Sequence, residues 1–223
     1  MATQTDRTAE PRIPLTRERV LRAAIDLADA NGIDSLTMRK LGEELGVEAM
    51  SLYNHVANKD DILDGIQDLV VSEYELPPRQ DDWKAALRQT AISAREVLLR
   101  HTWAAGLQLT GPDAVGPARL RYMDSILGTL RQAGFSVVMT HHAFHVLDIY
   151  VVGFTIQQIN FPIEAEDLPD LAAQFLLGIP VDDYPYLVEH INHHIESADY
   201  DENDFEFGLD LILDGLEHLH PTA

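Results

Sequence analysis

The side chains with the most chemistry in this chain lie close together. Glu48, Ala49, Met50, Ser51, Tyr53, Asn54 and His55 follow one another, interrupted only by Leu52. They mix hydrogen-bonding groups with small apolar ones, a combination that suits base edges and phosphates in a DNA major groove. Upstream, the Thr37 hydroxyl can cap a helix and reach a phosphate, and Arg39 projects toward the groove edge. Downstream, Lys59 at the start of the next helix is well placed for a further phosphate.

Such a set works only if a core holds it out. Leu41, Leu45, Val47 and Leu52 are apolar at spacings that put them on the facing sides of two short helices, and Gly42 is small where those helices cross. Gly46 supplies the turn between them by adopting the left-handed conformation that side-chained residues avoid. The spacing predicts a reading helix from Glu48 to about His55, too short to be stable alone. One brace is a helix capped by Thr16 and closed by Asn31-Gly32, with Val20, Leu21, Ala24, Ile25 and Ala28 inward. The other is a helix capped by Asn58 that carries Ile62, Leu63, Ile66, Leu69 and Val70 and ends near Tyr74, with Asp60 and Asp61 complementing its N-terminal dipole. Residues 1–14, with Pro11 and Pro14, read as a flexible arm from which Arg7 and Arg12 can touch DNA or simply trail. Leu76-Pro77-Pro78 marks the end of a helix-turn-helix DNA-binding domain at 15–76 and leaves 77–223 as a second domain.

The succession of a long helix, T-M-R-K-L-G-x-x-L-G-V, S-L-Y-N-H-V-x-N-K and a further helix resembles the N-terminal domain of the TetR family of bacterial transcriptional repressors. The resemblance runs from Thr16 to about Tyr74 without gaps and includes the L-Y-x-H-V-x-N-K tail that a generic helix-turn-helix lacks. It implies that Lys59 matches a family residue that contacts phosphate.

Composition sets the outer bounds. The 223 residues contain no cysteine, which excludes a disulfide scaffold, a thiolate metal site and a cysteine nucleophile. No apolar run approaches the roughly 20 residues of a membrane span, and MATQTDRTAEPR has no apolar signal segment, so a cytoplasmic protein with no membrane partner is expected. The net charge of −21, from 16 Lys+Arg against 37 Asp+Glu, speaks against nucleic acid. Its distribution softens the objection. Residues 1–55 hold seven cations against nine acids, whereas no Lys or Arg follows Arg131. Weak non-specific affinity and strong salt dependence are expected.

From Trp83 onward the pattern stays helical with no convincing strand, so the fold class is all-α: an N-terminal three-helix helix-turn-helix domain plus a C-terminal helical ligand-binding and dimerisation domain. Trp83, Leu87, Ala91, Ala94 and Leu98 recur at helical spacing, and helices follow at Ala118–Gln132, Ser136–Asn160, Leu171–Leu177 and Tyr186–Ser197, with an acidic stretch from Phe161 to Asp170. Ser136–Asn160 is apolar nearly all round from Ala143, which predicts burial on several faces. In the last helix Asn203 and Glu206 form a capping box, and Phe205, Leu209, Ile212, Leu216 and Leu219 make a heptad seam. Gly208 and Gly215 on an adjoining stripe leave room for a close partner helix, and a second copy of the chain would bury such a seam symmetrically. In the TetR family this helix and the one matching Ser136–Asn160 form the dimer's four-helix bundle, which adds Val151 and Thr155 to the expected interface.

Q-A-G-F-S near residue 135 and F-G-L-D-L-I-L-D-G-L-E-H-L from Phe207 resemble the tetracycline-repressor subgroup. The positions where that subgroup holds the metal of a magnesium–drug chelate with two His and a Glu are occupied here by Gln108, Ile149 and Gln157, which cannot replace those ligands. Positions that hold the drug's polar edge match Thr90 and Ile126. The expected effector is therefore not magnesium-tetracycline. Trp103, Leu107, Gln108, Tyr122, Ile126, Phe144, His145, Asp148, Ile149 and Gln157 are the candidate pocket, suited to a mostly apolar, neutral or cationic ligand. His141/His145 and His190/His194 have the spacing of metal-binding pairs, but no H-E-x-x-H is completed, and neither metal nor cofactor is expected.

A ligand-responsive homodimeric repressor fits these features best. Two reading helices enter successive major grooves of a near-palindromic operator, and a small-molecule effector weakens that binding by linkage, with Gly106, Gly111 and Gly116 as points of flexure. The alternative is an activator or partner-gated DNA-binding protein without a ligand. A His-cluster metal enzyme is a remote third reading, because no nucleophile elbow, metal motif or phosphate loop is present, and enzymatic activity is not expected.

Overall fold

Among the described residues, small polar side chains cap five of the helices. In the computed structural model of the chain, residues 14–76, 82–110, 115–161, 167–196 and 204–220 are described. Arg7, Arg12, Pro11, Pro77, Pro78, Gly111 and Asn203 lie outside them, as does the side chain of His194. Thr16 accepts the Arg19 N–H at 3.2 Å and opens α1 (Arg17–Asn31), which ends at Gly32 with φ 77°. Thr37 accepts the Lys40 N–H at 3.2 Å and opens α2 (Met38–Leu45). Gly46, at φ 67° and ψ 34°, then turns the chain into α3 (Ala49–Leu52). Asn58 accepts the Asp61 N–H at 2.8 Å and opens α4 (Lys59–Val71). Each cap satisfies a first-turn donor and stabilises its helix by about 1 kcal/mol.

The remaining helices are α5 (Trp83–Arg100), capped by Asp82, α6 (Thr102–Thr110), α7 (Pro117–Gln132), α8 (Val137–Asn160), capped by Ser136, α9 (Leu168–Leu177), α10 (Pro185–Glu196) and α11 (Asp204–His218). No strand occurs among the described residues, so the fold is all-α as the periodicity predicts. Boundaries differ in several places: α4 ends at Val71 rather than near Tyr74, and α6 runs through residues 106–110, where the glycines suggest a break. The acidic stretch expected to last to Asp170 gives way to α9 at Leu168, where Pro169 sits in the first turn without breaking a bond. The reading helix is a single turn, and Tyr53–His55 continue it as a tighter turn in which the His55 N–H reaches the Leu52 carbonyl. That tightening brings Val56 into the core.

One continuous core runs from Val20 in α1 to Leu216 in α11. α4 packs on α1 on one side and on α5, α6 and α7 on the other. α8 lies against α5, α6, α7 and α11, while α9 pairs with α10. By length and composition α8 is apolar enough to cross a membrane, contrary to the sequence expectation, but it serves here as a packing helix. Its burial is also narrower than expected. Ala143, Phe144, Leu147, Val151 and Thr155 face inward, and the opposite stripe of Val146, Ile149 and Gly153 is exposed.

Candidate functional site

The reading head is built on a close helix crossing. A Cβ on Gly42 would lie 2.9 Å from the Val47 carbonyl oxygen and 3.3 Å from the Ala49 Cα, so only glycine lets α2 and α3 approach this far. The Val47 N–H closes the turn on the Gly42 carbonyl at 2.9 Å. Leu52 is fully buried beneath this crossing, which turns Met50 (75% exposed) and Tyr53 (47% exposed) outward. Glu48 and Asn54 are exposed, and Ala49, Ser51 and His55 half-buried. Thr37 and Lys59 stand exposed at the starts of α2 and α4, and Arg39 is exposed on α2 in a surface pair with Glu43 at 3.0 Å. All ten side chains expected at DNA thus occupy two helix starts, the exposed side of α2 and the turn between α2 and α4.

An ion pair not foreseen from spacing fixes this head. The Arg17 guanidinium donates to both Asp61 oxygens, at 2.9 and 2.7 Å, and Asp61 also accepts the Ala57 N–H at 2.8 Å. The Arg17 hydrogen bonds, with the Ala57 N–H second, hold the Asp61 carboxyl below its ordinary range. Asp61 therefore ties α1 to the start of α4 rather than merely complementing a dipole.

Toward the C-terminal half, a cleft lies between α4, α6 and α7. It is a small, partly open cleft with a cavity volume of about 80 Å³, and its walls are Asp64, Gln67, Asp68, Val71, Gln108, Val115, Gly116, Arg119 and Met123. Behind it is a polar network. Gln108 Nε2 donates to the Tyr74 hydroxyl at 2.6 Å, Tyr122 donates to Asp148 at 3.3 Å, and Arg119 Nη2 donates to Asp148 at 2.8 Å. The Tyr74 and Tyr122 rings meet edge to face at 5.3 Å. Burial pushes the Tyr74 phenol up to about 12 and the Tyr122 phenol well above its ordinary value, so both remain neutral, Tyr74 accepting from Gln108 and Tyr122 donating to Asp148. Burial works against the Arg119 charge, and Asp148 more than offsets it.

The expected pocket residues divide accordingly. Gln108, Tyr122 and Asp148 join in this network, with Ile126 and Phe144 buried and Leu107 half-buried. Trp103 is turned elsewhere, its indole N–H donating to Asp29 of α1 at 2.6 Å beside His101, whose Nδ1 lies 2.9 Å from the same carboxylate. His145, Ile149 and Gln157 are exposed along α8, outside the cleft walls of the single chain. Thr90 is buried, and its hydroxyl bonds to the Ala86 carbonyl of its own helix. Gly106 lies within α6, and Gly116 is pinned beneath Asp68 rather than free to flex, since a Cβ there would lie 2.2 Å from that carboxyl group.

The terminal helix carries a correction. Phe205, Leu209 and Leu216 of the expected seam are buried in the chain's own core, as are Val151 and Thr155 of α8, because α11 packs them onto α5 and α8. Gly208 faces Tyr150 of the same chain, so close that a Cβ would lie 2.2 Å from its hydroxyl oxygen. Ile212 is half-buried and Leu219 exposed. The outward apolar stripe of α11 is Phe207, Leu211 and Leu219, with open space at Gly215, and it is matched on α8 by Val146, Ile149 and the equally open Gly153. A helix apolar on two faces offers two seams, and spacing alone selected the one facing inward.

His141 and His145 are exposed on α8 with ring centroids 4.5 Å apart, and no group of three or more possible metal ligands occurs among the described residues. Sequence reasoning missed Arg119 and Asp68. Asp68 of α4 accepts the N–H groups of Ala118 and Arg119 at 2.8 and 3.1 Å and so caps α7 from a distance. The one visible signal was Gly116-Pro117, a helix start lacking a side-chain cap of its own.

Residues 20–66 match the model of bacterial regulatory proteins of the tetR family, and residues 76–220 match the tetracyclin repressor-like C-terminal domain. The HTH-type transcriptional repressor DrrR1 of Streptomyces coeruleorubidus is 34% identical over 220 residues, covering 94% of this chain and 80% of that protein. The class D tetracycline repressor protein of Escherichia coli is 30% identical, over 91% of this chain and 89% of its own. Among solved structures, the Streptomyces coelicolor TetR family protein ActR in complex with actinorhodin is similar with a TM-score of 0.77 at 29% identity, covering 94% of this chain and all of that one.

Proposed function

The chain belongs to the TetR family of bacterial regulatory proteins and is a transcriptional repressor with a ligand-binding C-terminal domain, and from that premise we propose how it reads DNA and what releases it. Two copies pair through the outward stripes of α8 and α11, and their α3 turns enter successive major grooves of a near-palindromic operator, about 34–36 Å apart. Tyr53, Asn54, Ser51 and Met50 face the bases, while Thr37 and Lys59 hold the flanking phosphates. The observation that carries this reading is the Gly42 crossing, which buries Leu52 and leaves Met50 and Tyr53 standing out.

The effector is a mostly apolar, neutral or cationic polycyclic compound. ActR is known with actinorhodin, and other relatives are named for tetracycline, which supports a polycyclic class. A magnesium chelate is disfavoured, because Gln108 is engaged with Tyr74 and Ile149 offers no ligand atom. Such a repressor works beside the chromosome, in the cytoplasm. Fluorescence anisotropy against the upstream intergenic DNA tests the reading: Tyr53→Ala and Lys59→Ala should each weaken binding about ten-fold without dissociating the dimer. Unchanged affinity in both variants would remove the helix-turn-helix assignment.

A further inference from the structure

A polar corner joins the reading head to the C-terminal half. His101 closes α5, and the Ala104 N–H returns to its carbonyl at 2.8 Å as α6 begins, so residues 100–103 form the bend between two packed helices. Two parts of the head end against this bend. Asp29, in the last turn of α1, accepts the Trp103 indole N–H at 2.6 Å and has both oxygens 2.9 Å from His101 Nδ1. A carboxylate only accepts, so Nδ1 is the donor. Glu73, just past α4, takes Arg100 Nη2 at 2.8 Å and lies 3.5 Å from His101 Nε2. His101 and Trp103 are both buried. Apolar packing of the same volume would stabilise such a junction as well or better. What directed bonds add is a fixed angle, because donors and acceptors tolerate little change in length or direction, whereas apolar faces slide.

We propose that Asp29 is a positioning residue for operator recognition: by holding the end of α1 to the α5–α6 bend through Trp103 and His101, it fixes the angle of each reading head and thereby the half-site spacing that the dimer accepts. This rests on the dimeric repressor reading and adds to it a specificity-setting residue that touches no DNA.

The opposite end of α1 already belongs to the head. Arg17 is bound to Asp61 beside the reading turn, and at about 1.5 Å per residue Arg17 and Asp29 stand about 18 Å apart along α1. The helix is thus a strut with the reading turn at one end and the bend at the other. One base pair added at an operator's centre separates the half-sites by about 3.4 Å and rotates them by about 35°, and each head must absorb half of that change. A head that follows must break the bonds at Asp29. Without Asp29 it can pivot.

Operator spacing tests this. Anisotropy titrations of the full-length protein compare the upstream intergenic operator with versions one base pair longer and one shorter at its centre of symmetry. Wild type should prefer the native spacing. Asp29→Ala should reduce that preference about ten-fold, and Trp103→Phe, which removes one N–H without changing charge, about three-fold. Asp26→Ala makes the same charge change at an exposed position of α1 and should keep the wild-type preference. Circular dichroism and light scattering establish that each variant is a folded dimer. An unchanged preference in folded Asp29→Ala or Trp103→Phe, which includes an equal loss of affinity for all three operators, overturns the inference and leaves the repressor reading standing. An equal loss of preference in Asp26→Ala does the same, by tracing the effect to charge. Wild-type protein that binds none of the three operators, or all three alike, removes the dimeric reading and this inference with it.

Discussion

Gly42→Ala tests whether the α2–α3 crossing sets the reading head. In an isolated helix the change would stabilise by about 1 kcal/mol, because alanine loses less conformational entropy. Here the new Cβ would meet the Val47 carbonyl oxygen at 2.9 Å, the Ala49 nitrogen at 3.2 Å and the Ala49 Cα at 3.3 Å, all backbone atoms that no rotamer change can move aside. Restoring ordinary contact requires α3 to withdraw by about half an ångström, and overpacking of this kind costs about 1–3 kcal/mol. The two terms leave a net loss of about 0–2 kcal/mol, small enough for the variant to fold. The effect on DNA should be larger, because a displaced α3 compromises base contacts worth about 1–3 kcal/mol for each good bidentate pair. Operator Kd should rise about ten-fold or more, whereas the salt slope should change little, since the helix starts at Thr37 and Lys59 keep their phosphates. Thermal melts and anisotropy titrations at two salt concentrations measure both. A variant with a raised Tm and an operator Kd within two-fold of wild type would refute the reasoning.

Two further perturbations address the brace and the pairing surface. Arg17 holds the Asp61 carboxyl below its ordinary range, so this pair's stabilisation is complete above the unfolded value near 3.9 and is lost as pH falls through the folded value. With side chains 46 and 30% exposed the pair is screened and modest, and Asp61→Asn should lower urea midpoints at pH 7 while flattening their decline between about pH 4 and pH 2; parallel curves would mean the pair contributes nothing. Ile149→Glu combined with Leu211→Glu places charges on exposed sites, harmless to one chain but opposed across a symmetric interface, and should yield folded monomers by light scattering; a wild-type dimer mass would place the interface elsewhere.

What the sequence disclosed and what it withheld divide along the range of the interaction. Thr16, Thr37 and Asn58 cap as spacing predicts, because each bond closes within three residues and is written in the local order. Gly46 adopts positive φ for the same reason. The Arg17–Asp61 pair, the Asp68 cap on α7 and the Trp103–Asp29 bond join residues far apart in the chain, and no periodicity marks them. Trp103 illustrates the difficulty: its size and position suited a pocket, but its indole N–H found a carboxylate on α1. The choice between two apolar faces of α11 failed for a related reason, since Phe205–Leu209 and Phe207–Leu211 have the same spacing and only packing on α8 tells them apart.

The net charge of −21 looked like the strongest argument against DNA, and the structure shows why a sum over the chain is the wrong measure. Among the described residues, four cations distant from the reading head are already neutralised. Lys84 is paired with Asp214 and Glu217, Arg88 with Glu206 and Asp210, Arg100 with Glu73 and Arg119 with Asp148. Their acids are correspondingly quiet, and four of them lie on α11, whose packing on α5 they reinforce. Lys40 and Lys59, by contrast, are exposed at the starts of α2 and α4 and make no ion pair among the described residues. On the proposed docking a phosphate would meet those two charges at close range, while unpaired acids farther away act through solvent and fade beyond about 10 Å at ordinary ionic strength. On that reading the acidic remainder should weaken non-specific attraction more than it weakens a docked complex, and so sharpen the contrast between an operator and any other sequence; a specificity ratio that does not fall when surface acids of α11 are neutralised would refute this.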